Sequence, residues 1–215
     1  GPVLSAALIG LAAGALVAGP LADRYGRKIV LVSSVSMFGL WTLATAFSPD
    51  ISTMVILRFL TGLGLGAAMP NASTLVSEYA PQRSRSFLIT VAFCGFSLGA
   101  AGGGFLSAWM IPAFGWKSML ILGGVLPLLV APLLYFKLPE SVTFLVAKRA
   151  PNTRIRAIVE KLAPGVSDAK STFCLPAHPL MRSSAMQIVL SPSYRFGTLM
   201  LWSGYVLALF LVYLF

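Results

Sequence analysis

The sequence predicts an all-α integral membrane protein, a bundle of about six transmembrane helices with a long cytoplasmic loop late in the chain. Three observations predict it. Hydrophobic residues make up 57% of the 215 and charged residues only 10%, with a mean hydropathy of +0.86, a balance that does not suit a surface facing water. Charge-poor windows of about the ~20 residues a helix needs to cross a ~30 Å hydrocarbon core recur along the chain. The basic residues between them fall on alternate loops.

The windows run Gly1 to Ala22, Ile29 to Phe47, Ile51 to Ser77 (interrupted only by Arg58), Phe87 to Ile111, Ser118 to Phe136 and Phe196 to Phe215. Barrel strands would be about half as long and would alternate polar with apolar residues; no such alternation occurs. The first window lacks the basic leader of a signal peptide and is followed by more spans, so it reads as a span itself. Four short-looped spans must form antiparallel neighbours, and a fifth ends at Phe136. Residues 137–195 are polar and basic and form a connector, within which "PNTRIRAIVEKLA" places Ile155, Ile158, Val159 and Leu162 on one face of a possible surface helix. A solvated linker helix accounts for that segment equally well. The expected division is residues 1–136 as five helices of an N-terminal half, 137–195 as a cytoplasmic central loop and 196–215 as the first, truncated helix of a C-terminal half. The chain has no initiator Met and ends inside an apolar run, so it is read as a piece of a longer protein.

The formal net charge is +10, but its distribution excludes a nucleic-acid binder. Three basic residues follow the first span, none the second, two the third, Lys117 alone the fourth and nine the fifth, with Arg58 inside a span. By the positive-inside rule the loops at 23–28, 78–86 and 137–195 are cytoplasmic and the chain starts outside; a nucleic-acid surface would gather its charge on one soluble face among aromatics. Cys94, Cys174 and the single His178 form neither a disulfide framework nor a metal site, and no cofactor is implied. Cys94 is expected to be a small buried packing residue.

Glycines recur at four-residue spacing on three spans: Gly10, Gly14 and Gly19; Gly62 and Gly66; Gly95, Gly99 and Gly103. On one helix face they let backbones approach closely, supplying packing where lipid removes the hydrophobic drive. The first and fourth spans would be counterparts in an internal three-helix repeat if one more helix preceded Gly1. "TGLGLGAAMP" has a glycine-rich look, but without a preceding strand or a Lys-Ser/Thr it is not a phosphate loop.

"GPLADRYGRK" packs Asp23, Arg24, Arg27 and Lys28 between two spans, with Gly19 and Gly26 at set positions. Topology alone explains the bases but not Asp23 or the glycines. The stretch resembles the signature loop of the major facilitator superfamily, matched by Gly19, Leu21, Ala22, Asp23, Arg24, Gly26, Arg27 and Lys28. The resemblance implies an inner gate in which Asp23 meets a helix of the other half of the protein and biases two states. A carboxylate at a helix C-terminus faces an unfavourable dipole, so Arg24 and Arg27 are its expected partners. "LRFLTGLGLGAAMPN" resembles the superfamily's fourth-helix pattern, and its Arg58 lies ~10 Å along the span from the outer end. A charge inside a span is costly and functional by default. Arg58 either faces a central cavity, where it attracts an anion, or snorkels to the outer interface; the cavity is preferred because Arg58 is not at the helix end.

"SEYAPQRSRS" and "LPES" supply Glu78, Arg83, Arg85 and Glu140, expected to form a charge network with the opening cluster at the inner face. In "GAAGGGFL", Ala100 stands where antiporters of the superfamily carry Pro, which lowers the efflux reading. The chain as a whole resembles the aromatic acid:proton symporter family, most closely over Gly1 to about Ala147. That resemblance implies import of a small aromatic carboxylate with protons across the plasma or inner membrane, by a monomer rather than an enzyme. Arg58, Thr61, Asn71 and Ser97 are the candidate pathway residues. A sugar- or metabolite-type facilitator and a drug/proton antiporter of the same superfamily are the alternatives.

Overall fold

The computed structural model describes residues 1–162 and 191–214; Cys174, His178 and most of the polar half of the connector lie outside them. The chain divides into two compact units, Gly1–Leu175 and Pro176–Phe215. Among the described residues all regular structure is helical. In the first unit the helices are α1 (Pro2–Tyr25), α2 (Arg27–Thr45), α3 (Ile51–Tyr79), α4 (Arg85–Phe114), α5 (Trp116–Lys137), α6 (Val142–Ala147) and α7 (Asn152–Leu162). The second unit contributes α8 (Arg195–Leu214), where the sixth span was expected. Each of α1 to α5 is long and apolar enough to cross a bilayer.

The boundaries follow local chemistry. Gly26 (φ 100°, ψ 147°) ends α1 and starts α2, and Gly115 (φ 78°) separates α4 from α5. Both backbone conformations suit glycine because a Cβ would strain them. Inside the spans, Thr42 donates to the Phe38 carbonyl, Thr45 to Trp41, Thr61 to Leu57 and Asn71 to Ala67. Each polar side chain is thus satisfied within its own helix, as a medium without water requires.

The bundle is built outward from α3, which contacts α1 and α2, and α2 in turn contacts α5. The α1–α3 contact is parallel and brings backbone against backbone. A Cβ added at Gly10 would overlap the Phe59 carbonyl oxygen, one at Gly14 that of Leu63, one at Gly62 that of Ala7, and one at Gly66 that of Leu11. The predicted glycine faces of the first and third spans therefore meet each other. Two further glycine contacts were not anticipated. At Gly64 a Cβ would lie 2.9 Å from Ser34 O and Phe38 N of α2, and at Gly124 of α5 it would lie 2.8 Å from Gly39 O.

The fourth span departs from expectation. Gly95, Gly99 and Gly103 have no atom within 4 Å of a Cβ position, as is also true of Gly19, and no α4 residue is buried. The spacing is right for a packing face, but among the described residues α4 meets this bundle mainly along α3 and α5, and the glycine stripe points elsewhere. For the same reason Cys94 is exposed rather than a buried packing residue.

The adjacent glycines of α5 give a direct test of the packing. A Cβ at Gly123 would make an ordinary 3.7 Å contact with Thr42, whereas one at Gly124 would come within 2.7 Å of the Leu43 nitrogen. Gly123→Ala is expected to be neutral or to stabilise slightly through helix propensity, and Gly124→Ala to destabilise by about 1–3 kcal/mol through overpacking. Thermal unfolding of the detergent-solubilised protein measures both.

Candidate functional site

The cluster that opened the question of function lies at the inner ends of α1, α2, α3 and α5. Gly26 makes the turn: its N–H donates to the Ala22 carbonyl at 2.9 Å, and its own carbonyl accepts from Val30 at 3.2 Å. The start of a helix leaves backbone donors without partners and carries the positive end of the dipole. Glu140, just past α5, supplies the acceptor. Its Oε1 takes hydrogen bonds from the backbone N–H of Lys28 and of Ser141, both at 3.0 Å, and the residue is only 8% exposed. Gly26 is required twice over, since a Cβ there would stand 2.5 Å from Glu140 Oε2.

Two more contacts tie α3 to this turn. Tyr79 donates its hydroxyl hydrogen to the Glu140 carbonyl at 2.6 Å. The Arg27 guanidinium pairs with Glu78, Nε to Oε1, at 3.2 Å, with both side chains largely covered. Ser141 then starts α6 by accepting from the Phe144 N–H at 3.1 Å. Three segments distant in sequence are thereby fastened around one glycine.

The expected charge network is realised in part and by other means. Arg27 pairs with Glu78, not with Asp23, because it lies past the Gly26 turn and faces the end of α3. Asp23 is exposed on the last turn of α1 and has no ion pair among the described residues. Arg24 extends over the Tyr25 ring, 5.4 Å from its centre. Arg83 and Arg85 are exposed and join no ion pair among the described residues. Glu140 belongs to the cluster, but through backbone donors of α2 rather than through a basic side chain. Tyr79 was missed, and its position at the end of α3, beside Glu78, is the only sequence signal it carries.

The four pathway candidates are not gathered in one place. Arg58, half-buried in the outer part of α3, lines a cavity of about 430 Å³ against the first turns of α1, including Leu4 and Ala7. Thr61 and Asn71 are buried and hydrogen-bonded back to their own helix, so neither opens onto that cavity. Ser97 sits on the exposed surface of α4. Sequence spacing shows that a residue lies in a span; it does not show which neighbour covers it.

A bundle of bilayer-length helices whose inner ends are tied together around a charged glycine turn describes a polytopic membrane protein. The profile of the Major Facilitator Superfamily matches residues 1–215, and the chain belongs to that superfamily. It is 52% identical, over all of its length and 48% of the relative's, to the 4-hydroxybenzoate transporter PcaK of Pseudomonas aeruginosa. It is 50% identical to a gallate transporter of Pseudomonas putida, covering 100% of this chain and 47% of that one. The chain thus spans about half the length of these curated relatives. Among solved structures, the xylose transporter XylE from E. coli, in a partially occluded inward-open conformation, superposes with a TM-score of 0.64. That match covers 75% of this chain and 44% of XylE at 23% identity, a likeness of fold.

Glu140 is the position to test. Glu140→Ala leaves the Lys28 and Ser141 donors without an acceptor and is expected to cost about 1–3 kcal/mol, with Glu140→Gln, which keeps one carbonyl oxygen, costing less. Arg27→Ala should cost under ~1 kcal/mol, the usual worth of a partly exposed pair. Thermal unfolding ranks the three. Amide exchange at Lys28 should accelerate in Glu140→Ala and not in Arg27→Ala.

Proposed function

We propose that the protein to which this chain contributes is a secondary transporter that imports an aromatic carboxylate together with protons, by alternating access across the inner membrane. The observation that carries this reading is the 52% and 50% identity, over the whole chain, to transporters named for 4-hydroxybenzoate and gallate. Both are ring carboxylates and anionic at neutral pH. Arg58 supports the reading, being the one charge inside the α1–α5 spans away from their ends and lining a cavity large enough for a substituted benzoate.

The inner cluster serves as the gate. The Glu140–Lys28 and Arg27–Glu78 contacts make the inner ends of α1, α2, α3 and α5 one rigid piece. Asp23, which none of those contacts uses, is left to meet the part of the transporter that this chain does not span. Breaking and remaking that contact biases the inward- and outward-facing states. Away from their end turns, α1 to α5 contain no Asp, Glu or His. Proton coupling is therefore assigned to Asp23 or Glu78 at the inner ends, or to the half of the relatives' length beyond this chain.

Vesicles holding the full-length protein test the proposal through uptake of labelled 4-hydroxybenzoate. Accumulation should require a pH gradient, acid outside, and should vanish when the gradient is collapsed; uptake indifferent to it would favour the facilitator alternative. Arg58→Ala and Arg58→Lys should lower uptake at least tenfold at unchanged membrane levels. If Arg58→Lys transports normally, Arg58 is an interfacial anchor.

A further inference from the structure

At the inner end of α5 the chain leaves the span beside the first turn of α2, and Ala157 and Ile158 of α7 line the same recess. This cavity of about 470 Å³ has a wall that includes Lys28, Lys137, Ile29, Phe136 and Ile158. Neither lysine has a carboxylate partner among the described residues. The acid in the wall, Glu140, makes no ion pair with either ammonium; its Oε1 accepts from the backbone N–H groups of Lys28 and Ser141 instead. The start of α2 is therefore already capped, and two ammonium groups against one carboxylate leave the cavity wall net positive.

The apolar part of the wall continues onto the surface that a bilayer covers. Ile29 is 53% exposed, Tyr135 53% and Phe136 81%. The Lys28 ammonium lies 5.0 Å from the centre of the Tyr135 ring, a cation–π contact that holds the long side chain at the rim. These residues sit in the terminal turns of two spans, at the depth of lipid headgroups on the side the positive-inside rule makes cytoplasmic. On the cytoplasmic side of α5, Ile155 of α7 is buried to 2% exposure, which anchors that helix as the third wall.

We propose that this cavity binds an anionic phospholipid of the inner leaflet. The phosphate lies between the Lys28 and Lys137 ammonium groups, and the acyl chains run over Ile29 and Phe136 into the bilayer. Basic recesses between helices at the cytoplasmic face select such headgroups. A soluble phosphate would satisfy the lysines but leave the apolar wall bare, so the lipid is the occupant that uses the whole site. The inference does not depend on which substrate is carried.

Native mass spectrometry of the full-length protein, released from detergent containing equal amounts of phosphatidylglycerol and phosphatidylcholine, tests this. The wild type should retain phosphatidylglycerol in preference. Lys28→Gln combined with Lys137→Gln should lower that preference about tenfold, while Lys117→Gln, at the opposite end of α5, should leave it unchanged. Inorganic phosphate at millimolar concentration should not displace the lipid. Equal retention of the two lipids by the wild type, an unaltered preference in the double variant, or displacement by phosphate would each overturn the proposal. Should the double variant not fold, Lys137→Gln alone, at an exposed position, is expected to lower the preference about threefold by the same measurement, and no change there would also overturn it.

Discussion

The close parallel approach of α1 and α3 is the contact on which the rest of the structure depends. In a bilayer, burying leucine against leucine gains little, because lipid tails offer the same surroundings. What remains is van der Waals contact at short range, strengthened by Cα–H donors meeting carbonyl oxygens. Gly10, Gly14, Gly62 and Gly66 make that range available: carbonyls of each helix occupy the space where the other's side chains would begin. With α3 so held against α1, its opposite side is free to take α2 at Gly64, and α2 takes α5 at Gly39 and Gly124.

That chain of contacts also places the inner ends. Because α2 and α5 cross at glycines in mid-span, the exit of α5 comes to the entry of α2, and Glu140 reaches the α2 donors. The carboxylate then does what an N-cap side chain would have done, from more than a hundred residues away. A cap supplied from a distant segment couples two helices, which a local cap cannot do. If α5 shifts relative to α2, the Lys28 donor loses its acceptor, so the contact resists relative motion inside this group of helices. Asp23 lies exposed outside this locked group.

The two faces of the inner end divide their chemistry. On the α3 side, Arg27 and Tyr79 are consumed by internal contacts. On the α5 and α7 side, Lys28 and Lys137 form no ion pair among the described residues and line a recess whose wall also holds Ile29, Phe136 and Ile158. Adjacent residues of the first turn of α2, Arg27 and Lys28, thus meet different neighbours, Glu78 of α3 and the Tyr135 ring of α5.

Composition and hydropathy determined the element list, because a helix that must satisfy its own backbone in lipid needs about twenty apolar residues and leaves that length written in the chain. Charge placement determined sidedness, and the wording around Asp23 pointed to the superfamily. Glycine spacing marked Gly10, Gly14, Gly62 and Gly66 as contact faces, but it marked Gly95, Gly99 and Gly103 in the same way, although these meet nothing in this bundle. Periodicity reports that a face is smooth; only the positions of other helices decide whether anything lies on it. For the same reason Thr61 and Asn71 read as cavity residues and are buried, and Cys94 read as buried and is exposed. The tertiary structure alone decided that Glu140 caps α2 and that Arg27 meets Glu78, since both contacts join residues whose separation along the chain carries no period. Local rules write a helix into its own residues, whereas a contact between helices is a property of two segments at once.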